Sequence, residues 1–397
     1  MREIIDFGNM ALTGVFVTEG LSVQKAPLKL VRCIACGMTQ LGHRFDPSVL
    51  YGETYGYESH LNSSMTKHLK SKARTLEATY LSDIRSPIIV DIASNDGTLL
   101  SGYINSNSNL IGIDPLIDHV SDHYPKESIK ISDFFSKENF FSKSSEKAHL
   151  VTSLSVLYDL DDPRQFANDI FEILDNEGVW HFEQSYLPTM VETLSYDTIC
   201  HEHLLYFSLR NIQNLLTFAG FQIIDVSLNS INGGSIAVTA IKSDSKVEQS
   251  PFVNYLLNQE SLKGFDTDEA LLAFAKEAKS HKESLKMLIE DYKENGYKVV
   301  GLGASTKGNV LLQWLGLDKT YIEYIGDINP KKFNAQCPGS GIPIIEESKI
   351  FDAADKRTIA LVLPWHFRDG IVTNSERYLS RGGKLLFPLP QIQVVGI

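Results

Sequence analysis

Val90-Asp91-Ile92-Ala93-Ser94-Asn95-Asp96-Gly97-Thr98 decides the fold. An apolar run from Pro87 to Ile92 stops at small, flexible residues, the pattern of a buried parallel strand entering a tight turn. Gly97 allows close backbone approach there, and a helix starting behind it would offer free N–H groups. Leu110-Ile111-Gly112-Ile113-Asp114 then reads as a second strand ending in an acid. In a doubly wound sheet that acid lies beside the first turn, where it accepts hydrogen bonds from both hydroxyls of a ribose. Ile131-Ser132-Asp133-Phe134-Phe135 comes at the next strand position, with an acid and an aromatic suited to holding adenine.

Dinucleotides and S-adenosylmethionine both use this geometry. A dinucleotide needs a pyrophosphate cradle with glycines at G-x-G-x-x-G spacing. This turn has a single glycine, and Asp91 and Asp96 would repel a pyrophosphate. S-adenosylmethionine carries no phosphate and presents a sulfonium and an ammonium, so the acids suit it. The residues expected to hold it are Asp91, Ala93, Ser94, Asn95, Asp96, Gly97, Asp114, Pro115, Asp133 and Phe134.

Outward from the turn, the pattern is that of an α/β protein. Met65, Leu69 and Leu76 recur at helical spacing between residues 63 and 80, and strand-like runs lie at 110–113, 150–154 and 178–182. Alternating strand and helix predicts a parallel, doubly wound sheet. A charged helical stretch over 266–295 leads to Lys298-Val299-Val300-Gly301-Leu302-Gly303-Ala304, a second strand running into a glycine turn. Residues 1 to about 60 have poor helical periodicity and many turn residues, so a small loop-rich lobe is expected there. The expected architecture is two Rossmann-like domains plus that lobe, divided as 1–62, 63–245 and 246–397.

A chain of 397 residues is long enough for two or three cores. Its net charge of −12 argues against wrapping nucleic acid. No run of 18 or more apolar residues is present, no signal peptide is read at the start, and four cysteines form no disulfide framework. A cytoplasmic location is expected. Monomer and dimer are both left open.

Two further segments carry chemistry. Cys200-His201-Glu202-His203 places two imidazoles around a carboxylate, and histidine is the side chain best suited to take a proton near neutral pH. Residues two apart diverge on a strand or helix, so one of His201 and His203 is expected to face a substrate. Gly301-x-Gly303-Ala304-Ser305-Thr306-Lys307-Gly308-Asn309 lacks P-loop spacing but suits an anion, with Lys307 as counter-charge, Ser305 as donor, and Asp327 ending the next strand beside a ribose.

Together these segments resemble the C-methyltransferases that act on nucleotide-linked keto-deoxyhexoses. The likeness runs nearly end to end. It is carried by Leu30 to Gly37, Tyr51-Gly52-Glu53 with Tyr55-Gly56-Tyr57, the turn after Asp91, Glu183-Gln184-Ser185-Tyr186, Tyr196 to His203, Asn232-Gly233-Gly234-Ser235, Gly303 to Asn309, and Leu363-Pro364-Trp365. The resemblance implies a zinc-bearing N-terminal lobe, a central cofactor domain and a C-terminal domain gripping the nucleotide. It implies methyl transfer to C3 of a 4-keto sugar, with His203 as base and Glu202 orienting it or touching the sugar. Tyr55, Tyr57 and Tyr158 would polarise the ketone or order the substrate. Tyr186, Asn232, Ser305, Lys307, Asn309 and Asp327 would bind it. An O- or N-methyltransferase, or an NAD-dependent sugar oxidoreductase, is the alternative reading.

Cys33-x-x-Cys36 supplies half of a four-ligand zinc site. The family carries a second Cys pair upstream, and the residues from Ile4 to Asn9 resemble the stretch just behind that pair. Either the start is truncated or the metal is lost; His43 would add only a third ligand.

Overall fold

The computed structural model describes residues 1–18, 21, 23–45 and 58–396. Its contacts group into two compact units, each drawn from separated stretches of sequence. One comprises Tyr57–Leu187 and Leu205–Asp266; the other comprises Met1–Gly56, Pro188–Leu204 and Thr267–Ile397. This partition differs from a division at 62 and 245, because the segment 188–204 takes its partners from the chain's two ends.

The first unit is built on a seven-stranded sheet. Ile88–Ile92 lies near its middle, with Asn109–Ile113 and then Ile129–Ile131 parallel on one side, and Ala148–Leu154 and then Leu174–Ser185 parallel on the other. Ser235–Lys242 and Phe221–Asn229 close that second side antiparallel. Strand order therefore reverses at Ile88–Ile92, and a ligand crevice forms outside the carboxyl end of such a strand. The Ser63–Tyr80 helix covers one face. Asn62 caps it, accepting from the N–H groups of Ser64 and Met65, and Met65, Leu69, Ala73 and Leu76 form the buried stripe. Burying each leucine there contributes about 2 kcal/mol.

The second unit carries a six-stranded sheet. Ile344–Glu346, Ile325–Asp327, Lys298–Leu302, Thr358–Val362 and Lys384–Phe387 run parallel in that order, and Gln393–Val395 adds antiparallel. The helices Glu269–Glu294 and Thr306–Leu315 belong to this unit. The N-terminal stretch, expected to be loop-rich, instead holds two long strands: Arg2–Ala11 pairs antiparallel with Lys25–Arg32, which pairs with Thr39–Leu41. Register shifts in the first pair blur the period-two alternation, so the residues themselves give no clear strand signal. The Phe7 ring packs against Trp314 at 4.8 Å, tying this ribbon to the Thr306–Leu315 helix.

Candidate active site

Behind Ile92 the backbone enters the left-handed region at Ala93, Asn95 and Gly97. Only glycine adopts that conformation freely. At Gly97 a Cβ would also come within 2.4 Å of Tyr124 Cδ2. The N–H groups of Ala93 and Ser94 donate to Ile113 O at 2.9 and 3.3 Å. Asp114 accepts from Asn95 N–H at 3.0 Å and from Leu116 N–H at 2.8 Å. The helix expected directly behind this turn is not formed: the next element is the short 3-10 turn Leu100–Gly102, so the anion-attracting N-terminus of an α-helix is not offered here.

The turn is strongly acidic and largely enclosed. Burial pushes Asp91 up to about 7, although Thr152 Oγ1 donates to its Oδ1 at 2.7 Å. Burial raises Asp114 as well. Burial also pushes on Asp96, but hydrogen bonds from Thr98 and His60 outweigh it and hold that carboxyl below its ordinary value. Ser94 Oγ is engaged by Tyr124 Oη at 2.6 Å, and Pro115 is half-buried behind Asp114. Asp133 is exposed, accepting from Phe134 N–H at 2.7 Å, and Phe134 stands 56% exposed beyond the Ile129–Ile131 strand. Carboxylates thus crowd the turn, and an exposed aromatic ring stands beyond the neighbouring strand.

One network in this unit is not evident from the sequence. Glu183 accepts from His68 Nε2 at 2.8 Å, Lys72 Nζ at 2.8 Å and Asn229 Nδ2 at 3.0 Å. Burial opposes its charge, but these donors hold it at about 2. His181, buried beside Lys72, is pushed down to about 3 by desolvation and then by that cation. The spacing of His68 and Lys72 by four on one helix face is the one local signal for it. Tyr186 belongs nearby in sequence, yet its hydroxyl donates to buried Glu260 at 2.6 Å. Tyr158 is buried in the 3-10 turn Leu157–Asp159, and Asn232 has positive φ in the turn Ile231–Gly233.

The His-Glu-His segment lies in the other unit. His201 is fully buried, its Nε2 3.4 Å from Ala26 O and its Nδ1 3.5 Å from Thr13 Oγ1, and burial pushes it down to about 4. Thr13 Oγ1 donates to Glu202 Oε2 at 3.0 Å, and burial raises that carboxyl. His203 is half-buried. Its Nδ1 lies 2.9 Å from Thr198 O, and a carbonyl can only accept, so Nδ1 carries the proton and Nε2 the lone pair. Burial, then the Lys307 charge, pushes His203 down to about 3.

Lys307 feels the charges of this segment. Burial lowers its ammonium, and Asp197 and Cys200 oppose that shift. Asp197 is fully buried, with Trp365 Nε1 donating to its Oδ2 at 2.8 Å. Ser305 Oγ caps the Thr306–Leu315 helix, accepting from Gly308 N–H at 3.0 Å. Asn309 is buried, donating from Nδ2 to Thr13 O at 2.7 Å. Asp327 accepts from Ala304 N–H and Asn329 N–H, each at 2.7 Å. Of the residues expected to grip a nucleotide, Lys307 lies near enough for its charge to act on His203, and Asn309 is committed to the backbone. Tyr55 and Tyr57 lie outside the described residues.

Cys33 and Cys36 form a tight turn, with Gly37 N–H donating to Cys33 O at 2.9 Å. Backbone amides of Cys36 and Ala35 lower the Cys33 thiol. Among the described residues no third histidine, cysteine or carboxylate joins them; the grouping that could hold an ion is His60, Asp96 and His123. The cysteine pair, as described, does not fit a structural zinc ion. Among the described residues no helix is long and apolar enough to cross a membrane.

Two family models match in tandem. Residues 64–226 match a methyltransferase domain, and residues 230–390 match a C-methyltransferase C-terminal domain. Over 99% of its length the chain is 26% identical to the C-methyltransferase NovU of Streptomyces niveus, covering 94% of that protein. Among solved structures, the plantazolicin methyltransferase BpumL is 16% identical, with 46% of this chain and 87% of that one covered at a TM-score of 0.37. The magnesium protoporphyrin IX methyltransferase of Synechocystis PCC 6803 is 13% identical over 45% of this chain and 79% of that one, at a TM-score of 0.32. With both domain types in order and a relative matched over nearly its full length, the protein is an S-adenosylmethionine-dependent methyltransferase similar throughout to a C-methyltransferase.

Proposed function

We propose that the protein adds a methyl group to C3 of a nucleotide-linked 4-keto-deoxyhexose through an enolate formed by His203, in the cytoplasmic synthesis of a branched sugar. The observation that carries this reading is the Nδ1–H bond from His203 to Thr198 O, which presents the Nε2 lone pair in a neutral ring. Carbon methylation beside a ketone requires a base for the C3 proton and a positive partner for the developing enolate oxygen. Nε2 takes the proton. The Lys307 ammonium, whose charge disfavours an imidazolium in the resting protein, is the partner for the enolate oxygen. As that oxygen gains charge it offsets the ammonium, so His203 becomes more basic as the proton moves. Glu202, held by Thr13, fixes the segment from which His203 projects.

S-adenosylmethionine, when bound, supplies an electrophilic methyl carbon. Asp114 would accept from its ribose, Asp91 and Asp96 would complement its positive groups, and Phe134 would cover its adenine. O- or N-methylation would leave His203 dispensable.

The test is incubation with S-adenosylmethionine and a panel of nucleotide-linked 4-keto-deoxyhexoses, with product mass and deuterium wash-in at C3 as readouts. The expected result is a carbon-bound methyl and wash-in that His203→Asn abolishes. Wash-in that persists in that variant overturns the base, and methylation on oxygen or nitrogen overturns the reaction.

A further inference from the structure

Glu58, His60, Asp96 and His123 come from three stretches of chain that meet beside the cofactor turn. His60 N–H donates to Asp96 Oδ2 at 2.9 Å, and the His60 Nδ1 lies 2.9 Å from the same oxygen. Glu58 Oε2 stands 3.7 Å from that Nδ1. His123 N–H donates to Asp96 O at 3.2 Å, and its ring lies against that of His60 with centroids 4.3 Å apart. One donor atom each from His60, Asp96 and His123 falls within 4.8 Å of the other two. Asp96 is buried and the two imidazoles are half-buried, so the group is backed by protein and reachable from outside.

Two imidazoles and a buried carboxylate that converge from separate stretches of chain form a mixed nitrogen and oxygen donor set that one divalent ion can share. We propose that His60, Asp96 and His123 bind a divalent transition-metal ion, with Glu58 as a further oxygen donor, and that this ion competes with the cationic cofactor for Asp96. Metal–nitrogen bonds of about 2.0–2.1 Å bring neighbouring donors to about 3 Å apart, a closure that rotation of the half-buried rings supplies. Mixed imidazole and carboxylate ligation selects the Zn2+, Co2+ and Ni2+ group over Mg2+ and Ca2+, which take oxygen sets. Cobalt taken up by the Cys33 and Cys36 thiolates instead would give a different spectrum.

The experiment is titration of the full chain with Co2+, tracking visible d–d absorption and near-ultraviolet thiolate charge transfer. Saturation at one equivalent is expected, retained in the Cys33→Ser/Cys36→Ser variant and lost in both His123→Ala and the size-matched His123→Gln. Absent d–d absorption, or absorption that survives both His123 substitutions, overturns the site. The competition rests on the reading of the turn as the cofactor's. S-adenosylmethionine should raise the apparent Co2+ dissociation constant at least tenfold; unchanged Co2+ affinity with the histidine dependence intact refutes the competition, and with it the role of Asp96 toward the cofactor.

Discussion

The two glycine turns share a frame and differ in charge. Each lies behind a parallel strand, and each is braced by an acid ending the next strand: Asp114 accepts from Asn95 N–H at 3.0 Å, and Asp327 accepts from Ala304 N–H at 2.7 Å. The first carries Asp91 and Asp96 and runs into a 3-10 turn; the second carries Lys307 and runs into a capped ten-residue helix. The frame is a property of the fold, and the charge placed on it selects the ligand. An acidic turn without a helix terminus suits a cationic nucleoside. A turn with a lysine on a helix N-terminus suits an anion.

Chemistry at the cationic turn should be the most sensitive. His203→Asn is expected to lower the methylation rate by about 10²–10⁴-fold, the range for losing a general base, with S-adenosylmethionine affinity unchanged in calorimetry. Lys307→Met should lower kcat by about 10²-fold through loss of charge opposite the enolate, and should raise the His203 pKa from about 3 toward its ordinary value in an NMR titration. A His203 that titrates as before would detach Lys307 from the base and return it to the nucleotide.

The acidic turn should respond in binding instead. Asp114→Asn should raise the dissociation constant of S-adenosylmethionine about tenfold, close to 1.4 kcal/mol, whereas Asp327→Asn leaves it unchanged. Equal effects from the two would erase the distinction between the turns. Gly97→Ala places a Cβ against Tyr124 at positive φ and should cost about 2 kcal/mol in urea unfolding.

Smallest and most gradual is the response to acid. His181 and His203 are held at about 3 and His201 at about 4, each below the unfolded value of about 6.5. At these rings the unfolded chain binds more protons below about pH 6.5, so their contribution is complete above that pH and falls as pH drops toward 3, while Asp91, raised to about 7, contributes in the opposite sense as pH falls from 7 toward 4. Glu183, at about 2, adds a loss that begins near pH 4.5. The urea midpoint measured across this window checks the sign. The midpoint difference between the protein and its His181→Asn variant should shrink on acidification, and a difference that grows contradicts the neutral, buried imidazole.

The strands around Ile88–Ile92, the Ser63–Tyr80 helix and the acids of the first turn are legible because each depends on neighbours in sequence: an apolar run, a helical stripe, a turn composition. The paired strands Arg2–Ala11 and Lys25–Arg32 are not, since their regularity lies in a bulged register between distant residues. The Glu183 network is hidden for a related reason. Its charge is made tolerable by His68 and Lys72 on a helix over a hundred residues earlier.

The residues alone determined the α/β class, the acidic turn behind Ile92 and the presence of a histidine-rich segment, because strand period, turn composition and charge are local properties. Only the tertiary structure decided what those histidines face. The segment 188–204 lies between strands of the methyltransferase sheet in sequence, yet it packs with the chain's ends, where Thr13 holds Glu202 and Trp365 holds Asp197. Burial among those partners makes His203 a neutral, singly protonated ring of known tautomer, a property that no local pattern encodes.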